Sequence, residues 1–252
     1  MAPRVVIKAS AVAACIGLNP WKPPEEVRDE LWKKHWPETF EGLTKGDEAQ
    51  EALGRSANSQ KVLDQAVAFK AKDSAGAHAN FEKAKKQIVA DETLAPEDKV
   101  TVIEHLRSKC YTTHGTRSED KTADKVTAET GLTWLKDNNF YNLPLLETED
   151  GTTFFITGKV DRIEVEPDGS RTLVEIKNRM RCLFGTLREY ENVQIQVYLR
   201  MLGLTRAKLI EQYNNTTGTL MVTRDEEIWD NVIWPGILDF AIDLHGRATK
   251  QM

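Results

Sequence analysis

The stretch that most constrains this chain is GKVDRIEVEPDGSRTLVEIKN, Gly158 to Asn178. Two runs rich in β-branched and apolar residues flank Pro167-Asp168-Gly169. Proline presets the backbone for a turn and glycine enters it at no steric cost, so the pattern predicts two strands joined by a tight turn. The first spans about Thr152 to Glu166 and carries Asp161. The second spans Thr172 to Asn178 and carries Glu175 and Lys177. Side chains alternate along a strand, so Glu175 and Lys177 share a face while Val174 and Ile176 point into a core. Two carboxylates and a lysine thus meet on adjacent strands. Such oxygens suit Mg²⁺. An ion of that kind polarises a phosphate and activates water, and the lysine can position that water or neutralise growing charge. Hydrolysis of a phosphodiester is the chemistry these residue types support.

Length and charge bound the alternatives. The 252 residues suffice for one large domain or one domain with a sizeable insert. A formal net charge of -5 argues against coating nucleic acid by bulk charge. It leaves room for local basic residues beside carboxylates offset by a metal. No apolar run approaches a membrane span. The N-terminal MAPRVVIKASAVAACIG is broken by Lys8 and Ser10 and is too poor for a secretory signal, so a soluble intracellular protein with no membrane partner is expected. Cys15, Cys110 and Cys182 are scattered. They offer no disulfide framework, no zinc ribbon and no four-thiolate iron–sulfur site, and are read as core or near-core thiols.

Along the chain, Ser10 is a candidate N-cap for a short helix that stops at Gly17. Asn19-Pro20-Trp21 reads as a turn. Pro24 then opens a second helix with Val27, Leu31 and Trp32 on its apolar side. The pair would cover one side of a sheet, and the Ser10 hydroxyl and Lys22 are chemically able to touch a phosphate backbone. Residues 44–109 read as a helical insert, broken at Asp73-Ser74-Ala75-Gly76 and capped again at Ala95-Pro96-Glu97-Asp98, with Val100, Ile103 and Leu106 facing inward. Six lysines against three acids between Lys61 and Lys86 describe either a basic wall beside a DNA channel or, more often, a solvated helix face.

A separate helix is expected from Thr112 or Thr113 to Gly131. On it, His114-Gly115 marks a close approach, His114 is a candidate phosphate contact or a packing residue, and Glu119 is a candidate third acid. After the hairpin, Arg179, Arg181 and Arg188 fall within phosphate reach. The next helix, Glu191 to Leu204, puts Val193, Val197 and Leu204 on one stripe and Gln194 and Tyr198 on its neighbour. Gln194 could orient a water or a phosphate, with Tyr198 supporting it or simply packing. Strands at Lys208–Tyr213 and Thr219–Thr223 flank a turn at 214–218. A final helix, Asp225 to Phe240, should kink or divide at Pro235. The order implies a mixed α/β core with helices on the sheet.

Taken together these features resemble the PD-(D/E)XK nuclease superfamily, and within it the YqaJ-like or lambda-exonuclease-like viral recombination nucleases. Asp161 in GKVDRI and Glu175 with Lys177 in VEIKN match the family's strand acids and lysine. Gly115 and Glu119 in HGTRSED match its helix glutamate, and Gln194, Gln196 and Tyr198 in QIQVY match its later helix. KASAVAACIGLNPWK, with Ser10, Gly17, Asn19 and Trp21, matches its N-terminal signature. The likeness covers residues 5–32 and 111–213 and leaves out 44–109.

The resemblance implies a restriction-endonuclease-like α/β fold, a mixed central sheet flanked by helices with a helical insert. It implies a single nuclease domain over 1–252, with 111–213 as catalytic core. Asp161, Glu175 and the Ile176 carbonyl would hold Mg²⁺ or Mn²⁺, with Glu119 helping directly or through water. Lys177 and Gln194 would serve the hydrolysis, and Ser10, Lys22, His114, Arg179, Arg181 and Tyr198 would contact DNA. The activity implied is a nuclease leaving 5'-phosphates, foremost a 5'-to-3' exonuclease on double-stranded DNA ends in recombination or replication. A trimer, a single-strand-annealing partner and a host cytoplasm or nucleus come with the viral branch, while its iron–sulfur relatives do not fit the cysteines. A structure-specific endonuclease, a restriction-type enzyme, a catalytically inactive DNA-binding protein and an α/β domain with merely solvated acids are the competing expectations.

Overall fold

Alternating apolar residues build two short sheets, and residues repeating every three or four positions build the helices packed on them. The structure, a computed structural model, describes residues 2–249. In chain order it comprises β1 (Arg4–Lys8), a 3₁₀ turn (Ala9–Ala11), α1 (Val12–Cys15), α2 (Pro24–His35), α3 (Lys45–Gly54), α4 (Ala57–Ala68), α5 (Ser74–Val89) and α6 (Pro96–Thr130). Then follow β2 (Trp134–Leu135), β3 (Tyr141–Glu147), β4 (Thr153–Gly158), β5 (Arg162–Val165), β6 (Arg171–Asn178), α7 (Glu189–Leu202), β7 (Arg206–Tyr213) and β8 (Thr216–Thr223). The last elements are α8 (Glu226–Ile228), a π turn (Trp229–Ile233) and α9 (Trp234–Thr249).

The mixed sheet expected from the sequence is present in two parts. One has the order β1-β4-β3, with β1 parallel and β3 antiparallel to β4. The other has the order β2-β5-β6-β7-β8 and is antiparallel except between β6 and β7. The division falls inside the run read as one strand from Thr152 to Glu166. β4 stops at Gly158 and β5 starts at Arg162, in a different sheet. Between them Val160 is buried and anchors the crossing, and Asp161 stands at the bend instead of within a strand. The predicted turn closes with the Gly169 N–H on the Glu166 carbonyl at 2.9 Å.

Three cores hold the chain. The largest lies between the sheets, the N-terminal helices, α7 and α9, and includes Ile7, Val12, Phe154, Leu173, Val193, Leu199 and Ile237. On the opposite face of the five-stranded sheet, Ala123 and Val126 of α6 pack on Val174, Ile176 and Ile210. Leu53, Val62, Leu63, Phe81, Ile88 and Leu106 form a third core among α3 to α6.

Several local expectations change. The two helices expected to meet near Thr112 are one helix of 35 residues. The YTTHG stretch contains no proline, and a single helical glycine costs only about 1 kcal/mol. The buried stripe of α6 is Val102, Leu106 and Cys110, four apart, so Val100 is 59% exposed instead of inward. Ser10 caps no helix. It is exposed in the 3₁₀ turn, and α1 has Ala11 at its N-cap. The insert's caps are Thr44, Ser56 and Asp73, each side chain accepting a backbone N–H. β7 starts at Arg206, two residues earlier than expected, and β8 starts at Thr216 because Asn214, at φ 49°, lets a two-residue turn join the strands. Ahead of Pro235 the helix widens into the π turn, since proline has no N–H to give the carbonyl four residues back. Cys15 and Cys110 are buried, but Cys182 is exposed on the loop after β6. Among the described residues no helix is long and apolar enough to cross a membrane.

Candidate active site

The site grows from the place where β5 runs out. Arg162 is the last β5 residue paired with β6, opposite Val174. Beyond it the chain has left the sheet, so Ile176 has no strand neighbour on that edge. The Asp161 side chain fills the gap: its Oδ2 accepts the Ile176 N–H at 2.7 Å. Backbone N–H and C=O of one strand residue point to the same edge, so the Ile176 carbonyl faces the same opening. The broken strand thus sets a carboxylate and a backbone oxygen side by side.

Glu175 and Lys177 share the other face of β6, as alternation requires. Lys177 Nζ lies 2.8 Å from Glu175 Oε1 and donates to Gln194 Oε1 at 3.1 Å. The Gln194 amide in turn donates to Glu175 Oε1 at 2.9 Å and to the Tyr198 hydroxyl at 3.3 Å. Glu175 is 3% exposed, and its second oxygen, Oε2, is buried with no hydrogen-bond partner. A buried carboxylate oxygen left bare costs several kcal/mol unless something positive meets it.

Asp161, Glu175 and Glu119 act on one another electrostatically. Burial pushes Asp161 well above the usual carboxylate range, and Glu175 and then Glu119 add to it. Burial also raises Glu119, with Glu175 the next cause. Lys177 also shifts upward: burial, the largest cause, would lower it, but Glu175, Asp161 and Glu191 together raise it. Burial raises Tyr198, and Glu175 adds to that shift. The three acids outnumber the cations that act on them, Lys177 and an Arg162 already paired with Asp120. Among the described residues no group of three or more His, Cys, Asp or Glu side chains could hold a metal ion in the positions they occupy. Mg²⁺ does not need such a cage, since it is ordinarily held by one or two carboxylates together with substrate phosphate and water. Glu175 Oε2, Asp161 and the Ile176 carbonyl fit an ion of that kind.

Tyr198 reaches Gln194 because position 158 is glycine. A Cβ there would run into the tyrosine ring and lie 3.1 Å from Ala9 Cβ. Gln196 is not part of the cluster. It is buried and ties α7 to the chain after β8 through the Thr223 carbonyl and the Asp225 N–H, both at 2.9 Å.

The expected DNA contacts fare unevenly. Arg179 is contradicted. It is buried, donating to Glu191 Oε1 at 2.5 Å and to Glu211 Oε1 at 2.7 Å, with its guanidinium 4.1 Å from the Phe184 ring centre. Two carboxylates occupy its donors, so it clamps the loop after β6 and has no free edge for a phosphate. Arg181 is exposed on that loop, and Arg188 is exposed at the start of α7, 4.5 Å from the Phe184 ring centre. Lys22 is engaged by Glu30 at 2.7 Å and lies 3.6 Å from Glu26. Ser10 is exposed in the 3₁₀ turn. His114 is not in the cleft. It sits about 140° around α6 from Glu119, lining a cavity of about 560 Å³ with Arg117 and Lys121. Burial lowers its pKa. Gly115 makes no close approach, since a Cβ there would meet nothing within 4 Å.

Sequence reasoning passed over Gly158, Arg162 and Asn178. Only Asn178 left a signal: alternation puts it on the Ile176 face, toward α6.

No protein-family model and no curated protein matches this chain. Among solved structures, it is similar to an alkaline exonuclease from Laribacter hongkongensis, at 14% identity over 82% of this chain and 95% of that one, with a TM-score of 0.44. It is also similar to a phage-related exonuclease from Haemophilus somnus 129PT, at 13% identity over 99% and 97% of the two chains, with a TM-score of 0.46. Likeness this slight decides no chemistry.

Proposed function

We propose that this chain is a deoxyribonuclease dependent on Mg²⁺ or Mn²⁺, hydrolysing phosphodiesters of double-stranded DNA to leave 5'-phosphates. The observation that carries the reading is the charge imbalance in the cleft. Glu175 Oε2 is buried with no hydrogen-bond partner, the half-buried Asp161 and Glu119 act on the same group, and the cations that act on the three are Lys177 and an Arg162 already paired with Asp120. A divalent cation is the charge that balances the set, and when bound it supplies Lewis-acid polarisation of the phosphate. Asp161, Glu175 Oε2 and the Ile176 carbonyl would hold it, with Glu119 beside them.

The remaining roles belong to the chain itself. Lys177 holds its ammonium 2.8 Å from Glu175 Oε1, beside the acids. It stabilises negative charge building on the attacking oxygen or the phosphate. Gln194 fixes that ammonium against Glu175, and Tyr198 fixes Gln194. Cleavage is expected to depend little on base sequence, since contacts to phosphate carry no sequence information. The order of motifs, from GLNPW through HGTRSED and VEIKN to QIQVY, supports 5'-to-3' exonucleolytic action at duplex ends in recombination or replication. A trimeric assembly and a single-strand-annealing partner are proposed on the same resemblance.

An end-labelled linear duplex incubated with Mg²⁺ should be degraded progressively, and EDTA should abolish the reaction. Lys177→Ala should lose cleavage while still binding Mn²⁺ and DNA. Undiminished turnover by that variant would sink the proposal.

A further inference from the structure

Helix α6 covers the face of β6 turned away from Glu175. Its Glu119 nevertheless lies where Glu175 acts on it more strongly than any other charge. Apolar packing of Ala123 and Val126 on the sheet presses the helix down but is non-directional, and leaves its height and rotation loosely set. Directional bonds come from Asn178, on the same face of β6 as Ile176. Its Nδ2 donates to the Gly115 carbonyl at 3.1 Å, and its Oδ1 accepts from Thr122 Oγ1 at 2.7 Å. Gly115, Glu119 and Thr122 fall on one stripe of the helix, four and then three apart. Asn178 therefore grips the turn before Glu119 and the turn after it. A helical carbonyl has a lone pair beyond the one used by its own ladder, so the extra bond at Gly115 displaces nothing.

A second tie crosses on the other side. Arg162 is buried, donates to the Asp161 carbonyl at 2.6 Å and pairs with Asp120, the neighbour of Glu119. The strand of Glu175, the bend of Asp161 and the helix of Glu119 are thus fastened at the level of the acids.

We infer that Asn178 is a positioning residue: by bracketing Glu119 it sets that carboxylate for binding of the divalent cation. The inference rests on the cation reading above. A side chain that only stabilised the fold would lower the melting temperature without touching metal affinity, so the two roles separate by measurement. The full-length protein, Asn178→Ala, Glu119→Gln and the double variant are titrated with Mn²⁺ by calorimetry, with melting temperatures recorded in parallel. Removing a residue that orients a ligand typically costs about 10–100-fold in metal affinity, and Asn178→Ala should weaken Mn²⁺ binding by that much. The double variant should bind no more weakly than Glu119→Gln, because Asn178 acts through Glu119. Unchanged affinity in Asn178→Ala, or losses that simply add in the double variant, would overturn the inference and leave the proposed function standing. A wild-type protein that takes up no Mn²⁺ would overturn both. If Asn178→Ala does not fold, Thr122→Val is read by the same criteria, with a smaller loss in the same direction expected.

Discussion

Replacing Arg179 with methionine tests most sharply whether this arginine serves the fold or the substrate. It is 8% exposed and its partners Glu191 and Glu211 are each 1% exposed. Glu211 also accepts the backbone N–H groups of Phe184 and Gly185, at 3.1 and 2.9 Å. Burial alone would raise the Glu211 carboxyl, but those N–H groups and Arg179 outweigh it and hold its pKa below the ordinary value. Methionine keeps much of the arginine's length and removes its charge, leaving two buried carboxylates unpaired. Removing one partner of a buried pair costs about 3–5 kcal/mol. For a chain of this size each kcal/mol moves the melting temperature by about 2–4 °C, so a fall of about 6–20 °C is expected. Urea unfolding followed by tryptophan fluorescence, with equilibrium binding of a short duplex at a temperature where both proteins are folded, separates the roles. A clamp gives a large loss of stability and near-wild-type affinity for DNA. A stability loss below about 1 kcal/mol together with weakened DNA binding would refute the clamp and restore the phosphate contact expected from the sequence.

Gly115→Ala should stabilise the protein by about 0.5–1 kcal/mol, since the position is helical and a Cβ there meets open space; a lowered melting temperature would show that glycine is required after all. Leu106→Ala, in the core of the insert, should cost about 2–5 kcal/mol, while Val100→Ala should stay within about 0.5 kcal/mol. Equal effects in chemical unfolding would mean the helix is rotated from the orientation described. Asp47 closes the capping box of α3, and its pKa is lowered to about 2, first by Lys33 and then by Thr44. A depressed folded-state pKa stabilises above the unfolded value and is lost as pH falls. The stability advantage of wild type over Asp47→Asn should therefore be full at neutral pH and shrink as pH falls from about 4 through about 2, and a gap at pH 2 as large as at neutral pH would contradict it.

What could be read from the sequence was what depends on neighbours in the chain. The Glu175–Ile176–Lys177 alternation is a local property of any strand, and the Pro-Asp-Gly turn is encoded in three residues. The acid at Asp161 could be named but not placed, because its position depends on β4 and β5 joining different sheets, a pairing decided by distant strands. Arg179 was misread for a related reason. Glu191 and Glu211 lie 12 and 32 positions away, and the parallel pairing of β6 with β7 is what brings Glu211 alongside. Glu119 carried a sequence signal, but the bonds that aim it, from Asn178 and Arg162, join segments more than 40 residues apart.

Helix α6 runs about 52 Å without interruption, its first half lodged in the insert's own core and its second half on the catalytic sheet. The seam that separates insert from core along the sequence therefore corresponds to no joint in the molecule. Excising residues 44–109 would not unplug a cassette. It would saw through a beam whose remaining part carries Glu119. The outlying helices and Glu119 thus hang on one uninterrupted helix, with no hinge between them to absorb a change at either end.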